Sequence, residues 1–299
     1  MTTPVVEKST SVLPLSEMLQ LAFKEDMPRG DVTTDGLALI GTRHPTLAGP
    51  TAPKLGLAKL IAKQDLVLSG QDLFQAAVLH FDPTAQLTWH FQDGQSVLQG
   101  QSVCRLKTDL VGLLKAERVA LNLLMHLSGI ATLTSRFVAQ VRDYHCRILD
   151  TRKTTPLFRH WEKRAVRHGG GHNHRMDLSS AILIKDNHIA MVGGITKAVR
   201  QLRSTSTLPI EVEAGTLEQV KECVELQIER ILLDNMDLET LRQARSLIPK
   251  SISVEASGNM TLERVRSVAL IGVNDISVGA LTHSAPAADL SLLFEWEST

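Results

Sequence analysis

The chain is short of the features that mark several large protein classes. Aromatic residues make up only 4% of it, with one tyrosine and three tryptophans, too few for the platforms on which single-stranded nucleic acid stacks. No charge of either sign dominates: 32 Lys and Arg face 32 Asp and Glu, which argues against a nucleic-acid-binding domain with its basic surplus. Its three cysteines, Cys104, Cys146 and Cys223, are far apart and form no CxxC. That pattern excludes a disulfide framework and a zinc ribbon, and points to reduced thiols in a cytoplasmic protein. No apolar run nears the roughly 18 residues of a membrane span. The start, MTTPVVEKSTSV, lacks the basic and apolar regions of a secretory signal.

What is present is enough for a buried core, 43% hydrophobic residues, arranged in two different rhythms. Leu15, Met18, Leu19 and Ala22 recur at helical spacing, so 15–26 reads as an amphipathic helix that Pro28 and Gly30 terminate. From 46 to 108 short runs (LGLAKLIA, QLTWHF, SVCRLK) separated by Asp93-Gly94 and Gly100 suggest antiparallel strands around a helix near 71–80. A long helical stretch over 110–142 follows, with an expected break at Ser128-Gly129. Beyond it six apolar, β-rich runs, at 146–151, 181–186, 209–214, 230–235, 252–257 and 275–280, alternate with helices clearest at 216–226, 238–247 and 261–271. Such alternation implies a parallel sheet, either a barrel or a doubly wound sheet. Nearly every run ends in a charged residue, at Asp150, Lys185-Asp186, Glu213, Asp234 and Glu255. A barrel, whose strand ends converge on one mouth, explains this best.

Between Arg147 and Arg175 eight Arg and Lys residues meet only Asp150 and Glu162, beside GGGHNHR at 169–175. Guanidinium groups grip carboxylates and phosphates in bidentate pairs, and glycines allow close approach of backbone N–H groups, so a multiply anionic ligand suits the segment. A solvated basic helix face is the plainer alternative. Glu213 and Asp234, ending successive strands, could hold a divalent metal, bind sugar hydroxyls, act as acid and base, or merely cap loops. Alternation along PIEVE puts Glu211 on the same face as Glu213. His168, His172 and His174 invite a zinc reading, but their spacing fits no closed zinc site, and hydrogen bonding to an anion suits them better. Ser257-Gly258-Asn259 and Val278-Gly279-Ala280 fall where final barrel strands end, a frequent position for a phosphate site.

These strings carry a resemblance. ERVALNLLMHLSGIAT (117–132), DTRKTTP (150–156), GGGHNHR, LIKDNH (183–188), EVE (211–213), LLDN (232–235), EASG (255–258) and SVGALTHSA (277–285), with EDMPRGDVTT (25–34), resemble the quinolinate phosphoribosyltransferases, also called carboxylating nicotinate-nucleotide pyrophosphorylases. The resemblance runs in order from about residue 15 to the C-terminus. It implies an α/β fold: a tail over 1–14, an N-terminal α+β sandwich domain over 15–115 completed by 285–299, and an open, incomplete α/β barrel over 116–284. It implies a homodimer with shared active sites, and the composition adds the expectation of a cytoplasmic protein that binds neither nucleic acid nor membrane. The implied reaction joins quinolinate and phosphoribosyl pyrophosphate, with Mg²⁺, to give nicotinate mononucleotide, pyrophosphate and CO₂ in NAD biosynthesis.

By the same resemblance Thr151, Arg152, Lys153, His174 and Arg175 bind quinolinate, with Arg118 reaching in from the neighbouring subunit. Lys185, Glu213 and Asp234 face the phosphoribosyl part, the two acids holding the metal directly or through water, and Lys153, Lys185, Glu213 and Asp234 serve catalysis. Ser257, Gly258, Asn259, Val278, Gly279 and Ala280 hold the 5′-phosphate. No nucleophilic Ser or Cys with a partnered base is evident, so no covalent intermediate is expected. Two departures from the family pattern stand out. Leu157 occupies a position where the family commonly has glycine; if that glycine serves a positive-φ turn, the local backbone is expected to differ here. Ala214 replaces a branched residue, a matter of packing.

Overall fold

The computed structural model describes residues 13–38 and 55–295; the expected tail lies outside them except for Leu13 and Pro14. The chain divides into two compact units, one of 1–129, 156–161 and 286–299, the other of 130–155 and 162–285. The division falls inside a helix at Gly129/Ile130 and not at 115/116, because that unbroken helix gives its first part to one unit and its last part to the other.

The first unit begins with α1 (Leu15–Asp26), which buries Leu19 and Phe23, and α2 (Val32–Ala38). There follow β1 (Leu55–Ala62), β2 (Leu66–Val67), α3 (Gln71–Phe81), β3 (Gln86–Trp89), β4 (Ser96–Val97), β5 (Ser102–Asp109) and α4 (Leu110–Val141). Alternate residues of β1 and β5 are buried, as expected of strands with one face on a core. That core gathers Leu60, Phe74, Leu106 and Leu124.

The break expected at Ser128-Gly129 does not occur: α4 runs unbroken for 32 residues. Both residues are there for packing. Buried Ser128 Oγ accepts the Ser69 N–H at 3.0 Å. A Cβ on Gly129 would stand 2.1 Å from the Pro286 carbonyl oxygen.

Leu157 corrects another expectation. The backbone is not rebuilt around it; φ stays at +64° on a side chain 77% exposed. A branched residue in the left-handed region costs about 1–2 kcal/mol, and glycine's greater freedom when unfolded returns about half of that to the unfolded state. Leu157→Gly is therefore expected to raise stability by up to about 1 kcal/mol, read as a higher denaturant midpoint.

The second unit contains β6 (Arg147–Leu149), α5 (Arg159–His168), whose first turn belongs to the other unit, β7 (Ile182–Ile184), α6 (Asp186–Val192) and α7 (Ile195–Thr205). It continues through β8 (Ile210–Ala214), α8 (Leu217–Glu225), β9 (Arg230–Asp234), α9 (Leu238–Leu247), β10 (Ser253–Ser257), α10 (Leu262–Leu270), β11 (Asp275–Ser277) and α11 (Ala280–His283). Thr216, Asp237 and Thr261 cap α8, α9 and α10 by accepting backbone N–H groups. The six strands are parallel in the order β6-β11-β10-β9-β8-β7. No pairing joins β7 to β6 among the described residues, so this is the open barrel that the resemblance implied. A last strand, β12 (Leu290–Glu295), belongs to the first unit and pairs antiparallel with β1, giving that sheet the order β12-β1-β5-β3.

Candidate active site

The strand ends of the second unit surround a cavity of about 880 Å³. Register decides which side chains enter it. Glu213 pairs with Leu232 and Ser257 with Asp234, so Asp234 lies two residues beyond the partner of Glu213 and shares its face. Of the residues assigned above, Thr151, Arg152, Lys153, His174, Arg175, Lys185, Glu213, Asp234, Ser257, Gly258, Asn259, Val278, Gly279 and Ala280 all line the cavity. Arg118 does not; it is exposed on α4.

One wall is cationic. Of the eight basic residues between 147 and 175, three line the cavity: Arg152, Lys153 and Arg175. The rest were not gathered there. Arg147, for example, holds Asp275 through two bonds of 2.6 and 3.0 Å, and Lys163 is buried against Asp150. Arg152 Nε is buried with no hydrogen-bond acceptor in the protein. Burial, and then repulsion from Arg152, lower the pKa of Arg175. Two guanidinium groups thus share a wall without enough counter-charge.

The glycine triplet was misread as a ligand cradle. A Cβ on Gly169 would lie 2.4 Å from the Ala131 carbonyl oxygen, and one on Gly171 would lie 2.7 Å from Thr134 Cγ2. Gly170 takes φ +84°. The triplet lets the chain pass close to α4, and none of the three lines the cavity.

Beneath the wall, inside the barrel, lies a charge network that the sequence did not suggest. Arg230 Nη2 donates to Glu255 at 2.7 Å and to Asp275 at 2.6 Å, and Arg230 Nε stands 3.0 Å from Glu211. His174 Nε2 faces Glu211 at 3.3 Å and Glu255 at 3.5 Å, while its Nδ1 accepts the Arg175 N–H at 2.7 Å. Burial alone would lower the pKa of His174, but the Glu211 hydrogen bond and the charges of Glu255 and Glu211 leave it raised. With both ring nitrogens engaged by protein groups, His174 shapes the wall and sets the course of Arg175.

Burial and then the charge of Glu211 push Glu255 up to about 7, against the pull of His174, Arg230 and Ser277. The sign of the consequence is fixed. Native Glu255 keeps its proton above the ordinary value of 4.5, so this stabilisation is full below that value and lost as pH rises through about 7. Glu255→Gln removes the loss. The variant's stability relative to wild type is expected to climb on the order of 2 kcal/mol between about pH 5 and 8, followed by denaturant melts across that range.

The opposite wall suits a phosphorylated sugar. Lys185 Nζ binds Glu213 at 2.8 Å, and Asp234 accepts from Asn235 Nδ2 at 2.7 Å. Gly258, Asn235 and Asn259 all take left-handed φ values, +94°, +53° and +47°, a strained cluster of the kind that marks ligand loops. Next to it Thr261 caps α10, whose N-terminus favours anions. Gly279 is small for a reason: a Cβ there would lie 3.0 Å from Lys153 Cδ. Asn235, Thr261 and His283 were missed from the sequence. Asn235 and Thr261 stand next to, or two residues beyond, assigned residues.

Two donor sets could attract a metal. Glu213 and Asp234 offer hard carboxylate oxygens on one face of adjacent strands. This suits Mg²⁺, which keeps most of its waters and takes one or two carboxylates together with substrate phosphates. The second set, His174, Glu211 and Glu255, is compact, but the Arg230 guanidinium already lies among its acids. No zinc set forms from His168, His172 and His174 among the described residues. Burial pushes the thiols of Cys104, Cys146 and Cys223 up to about 12, so none is a ready nucleophile. Among the described residues no helix is long and apolar enough to cross a membrane.

Comparison with known proteins agrees with this geometry. The family "Quinolinate phosphoribosyl transferase, N-terminal domain" matches residues 31–128, and its C-terminal-domain counterpart matches 130–293. A protein of Synechocystis sp. named "Probable nicotinate-nucleotide pyrophosphorylase [carboxylating]" is 42% identical over 279 residues, 92% of this chain and 90% of its own length. A protein of the same name from Bacillus subtilis is 38% identical, covering 94% and 93%. The solved nicotinate-nucleotide pyrophosphorylase of Francisella tularensis superposes with a TM-score of 0.84 at 34% identity, over 94% of this chain and 96% of that one.

Proposed function

The chain belongs to the quinolinate phosphoribosyltransferase family, and on that premise we propose how its cavity performs the family's reaction. It transfers the phosphoribosyl group of phosphoribosyl pyrophosphate to quinolinate, with release of pyrophosphate and CO₂, to form nicotinate mononucleotide for NAD synthesis. The observation that carries the reading is the pair Arg152 and Arg175: a buried Nε without an acceptor, and a guanidinium whose pKa is lowered by burial and then by the charge of Arg152. Such a pair calls for an anion, and a ring dicarboxylate answers two cations at once.

Arg152, Lys153 and Arg175 hold the quinolinate carboxylates, with Thr151 beside them and His174 bracing Arg175. Each charge-assisted bond contributes about 1.5–3 kcal/mol and orients the ring nitrogen towards the sugar. Arg118 of a second subunit completes the grip in a homodimer. Glu213 and Asp234 would hold Mg²⁺, directly or through water, and its charge would offset that of the departing pyrophosphate. The same two acids stabilise the positive charge that develops on the ribose as C1 loses its leaving group. Lys185, kept in place by Glu213, faces the phosphates. Ser257, Gly258, Asn259 and the Val278-Gly279-Ala280 turn hold the 5′-phosphate through backbone N–H groups. No covalent intermediate with the protein is involved. Once alkylated, the ring nitrogen is cationic; that charge stabilises the carbanion left by CO₂ until a proton from solvent takes the place of the lost carboxylate.

The test is direct. Purified protein with quinolinate, phosphoribosyl pyrophosphate and Mg²⁺ should yield nicotinate mononucleotide and CO₂ in equal amounts, and nicotinate should replace quinolinate poorly. Turnover of nicotinate as fast as quinolinate would overturn the dicarboxylate reading.

A further inference from the structure

Two consecutive buried ions on α5, Glu162 and Lys163, take no part in the chemistry described so far, and neither lines the cavity. Lys163 Nζ is bonded to Asp150 Oδ1 and donates to the His174 carbonyl oxygen at 3.0 Å. The same Asp150 oxygen accepts the His174 N–H at 2.8 Å. Asn173 Nδ2 bridges Asp150 Oδ2 and, at 2.8 Å, the Lys163 carbonyl oxygen. At the far end of the 150–155 segment, Glu162 Oε2 accepts the Thr155 N–H at 3.1 Å.

The consequence is geometric. Arg152 and Lys153 lie between two anchors, Asp150 and Thr155, both fastened to one turn of α5. Arg175 follows His174, whose carbonyl accepts from Lys163 of that turn and whose N–H is bonded to Asp150 itself. Both cation-bearing segments are thus tied to the same buried pair, Lys163 and Asp150, whereas Lys185, Glu213, Asp234 and Ser257 sit at the ends of β7 to β10, which His174 meets at Glu211 and Glu255. A buried ion pair is weak evidence of net stabilisation, since desolvation offsets most of its attraction, and its best-attested use is to fix one arrangement of the chain.

We propose that Lys163 is a positioning residue: through Asp150 it sets the spacing between the Arg152-Lys153 loop and the His174-Arg175 segment, and so the affinity for the ring dicarboxylate, without acting on the phosphoribosyl side. This rests on the assignment of quinolinate to those cations.

The test compares Michaelis constants for both substrates in Lys163→Met, Lys163→Arg, Asn173→Ala and, as a control on the assignment itself, Arg152→Ala. Lys163→Met is expected to raise the KM for quinolinate at least tenfold and to leave that for phosphoribosyl pyrophosphate within about twofold. Lys163→Arg, which keeps the charge, should recover part of the loss. Asn173→Ala leaves the ion pair in place and should shift the same constant in the same direction by less; it carries the test alone should Lys163→Met fail to fold. Equal loss for both substrates, or a fall in thermal midpoint with both constants unchanged, would leave Lys163 a structural residue only and overturn the proposal. If Arg152→Ala leaves the quinolinate constant unchanged, the assignment of the wall falls first. If Arg152→Ala raises it and neither Lys163→Met nor Asn173→Ala does, only the positioning role falls.

Discussion

Heterodimers joining one Arg118→Ala subunit to one Arg152→Ala subunit are expected to regain about half of wild-type activity, although each parent retains about one hundredth of it. The loss follows from the ligand's charge. Removing a guanidinium that meets a buried carboxylate forfeits a charge-assisted bond and leaves the anion partly unpaired, about 3 kcal/mol and hence about a hundredfold in kcat/KM. The recovery follows from the location of the two arginines. Arg152 lines the cavity of its own subunit. Arg118 is exposed on α4 and is not among the lining residues; in the proposed homodimer it enters the other subunit's site. In a heterodimer one site then carries both defects and the other neither. Co-expression with two affinity tags isolates the species, and initial rates measure it. Heterodimers no faster than their parents would return Arg118 to a role within its own chain or to none.

Arg118 also marks a limit of what the sequence discloses. Residues at the ends of parallel strands were legible because a barrel brings every strand's carboxyl end to one mouth, whatever the strand order. Lys185, Glu213, Asp234 and Ser257 needed no knowledge of which strand neighbours which. The network beneath them did need it. Arg147 meets Asp275 because β6 pairs with β11, strands far apart in sequence, and Glu211 stands opposite Arg230 through the β8–β9 register. Asp150 was misjudged for a related reason: its carboxylate turns away from the mouth towards Lys163 on α5, a helix whose basic residues read as ligand-binding or solvated. The glycines at 129, 169 and 171 looked like breaks or ligand turns, since close approach to another segment leaves the same trace in a sequence as a flexible loop does.

Gly258→Ala is expected to lower kcat/KM for phosphoribosyl pyrophosphate by at least about a hundredfold while quinolinate still binds. Two separable costs meet at this position. The first is conformational: φ is +94°, a region that alanine rarely adopts. Gly272 has a similar φ of +89° but nothing within 4 Å of where its Cβ would be. Gly272→Ala therefore measures that cost alone, about 1 kcal/mol of stability with activity intact. The second cost is collision. A Cβ at Gly258 would lie 2.1 Å from Asn235 Oδ1 and 2.9 Å from the Asn235 backbone nitrogen. A side-chain oxygen can swing aside, but the nitrogen cannot move alone, because its N–H is bonded to the Ser257 carbonyl oxygen at 3.0 Å. Relief requires the β9 and β10 ends to part, and Asp234 and Ser257 are paired across that seam. A displacement near 1 Å there separates the carboxylate from the phosphate loop, and misplacement on that scale costs about a hundredfold. Removing Asn235's side chain in Gly258→Ala/Asn235→Ala relieves the first contact but not the second, so the double variant should recover little. Full recovery would show that the side chain, and not the seam between the strands, makes Gly258 necessary.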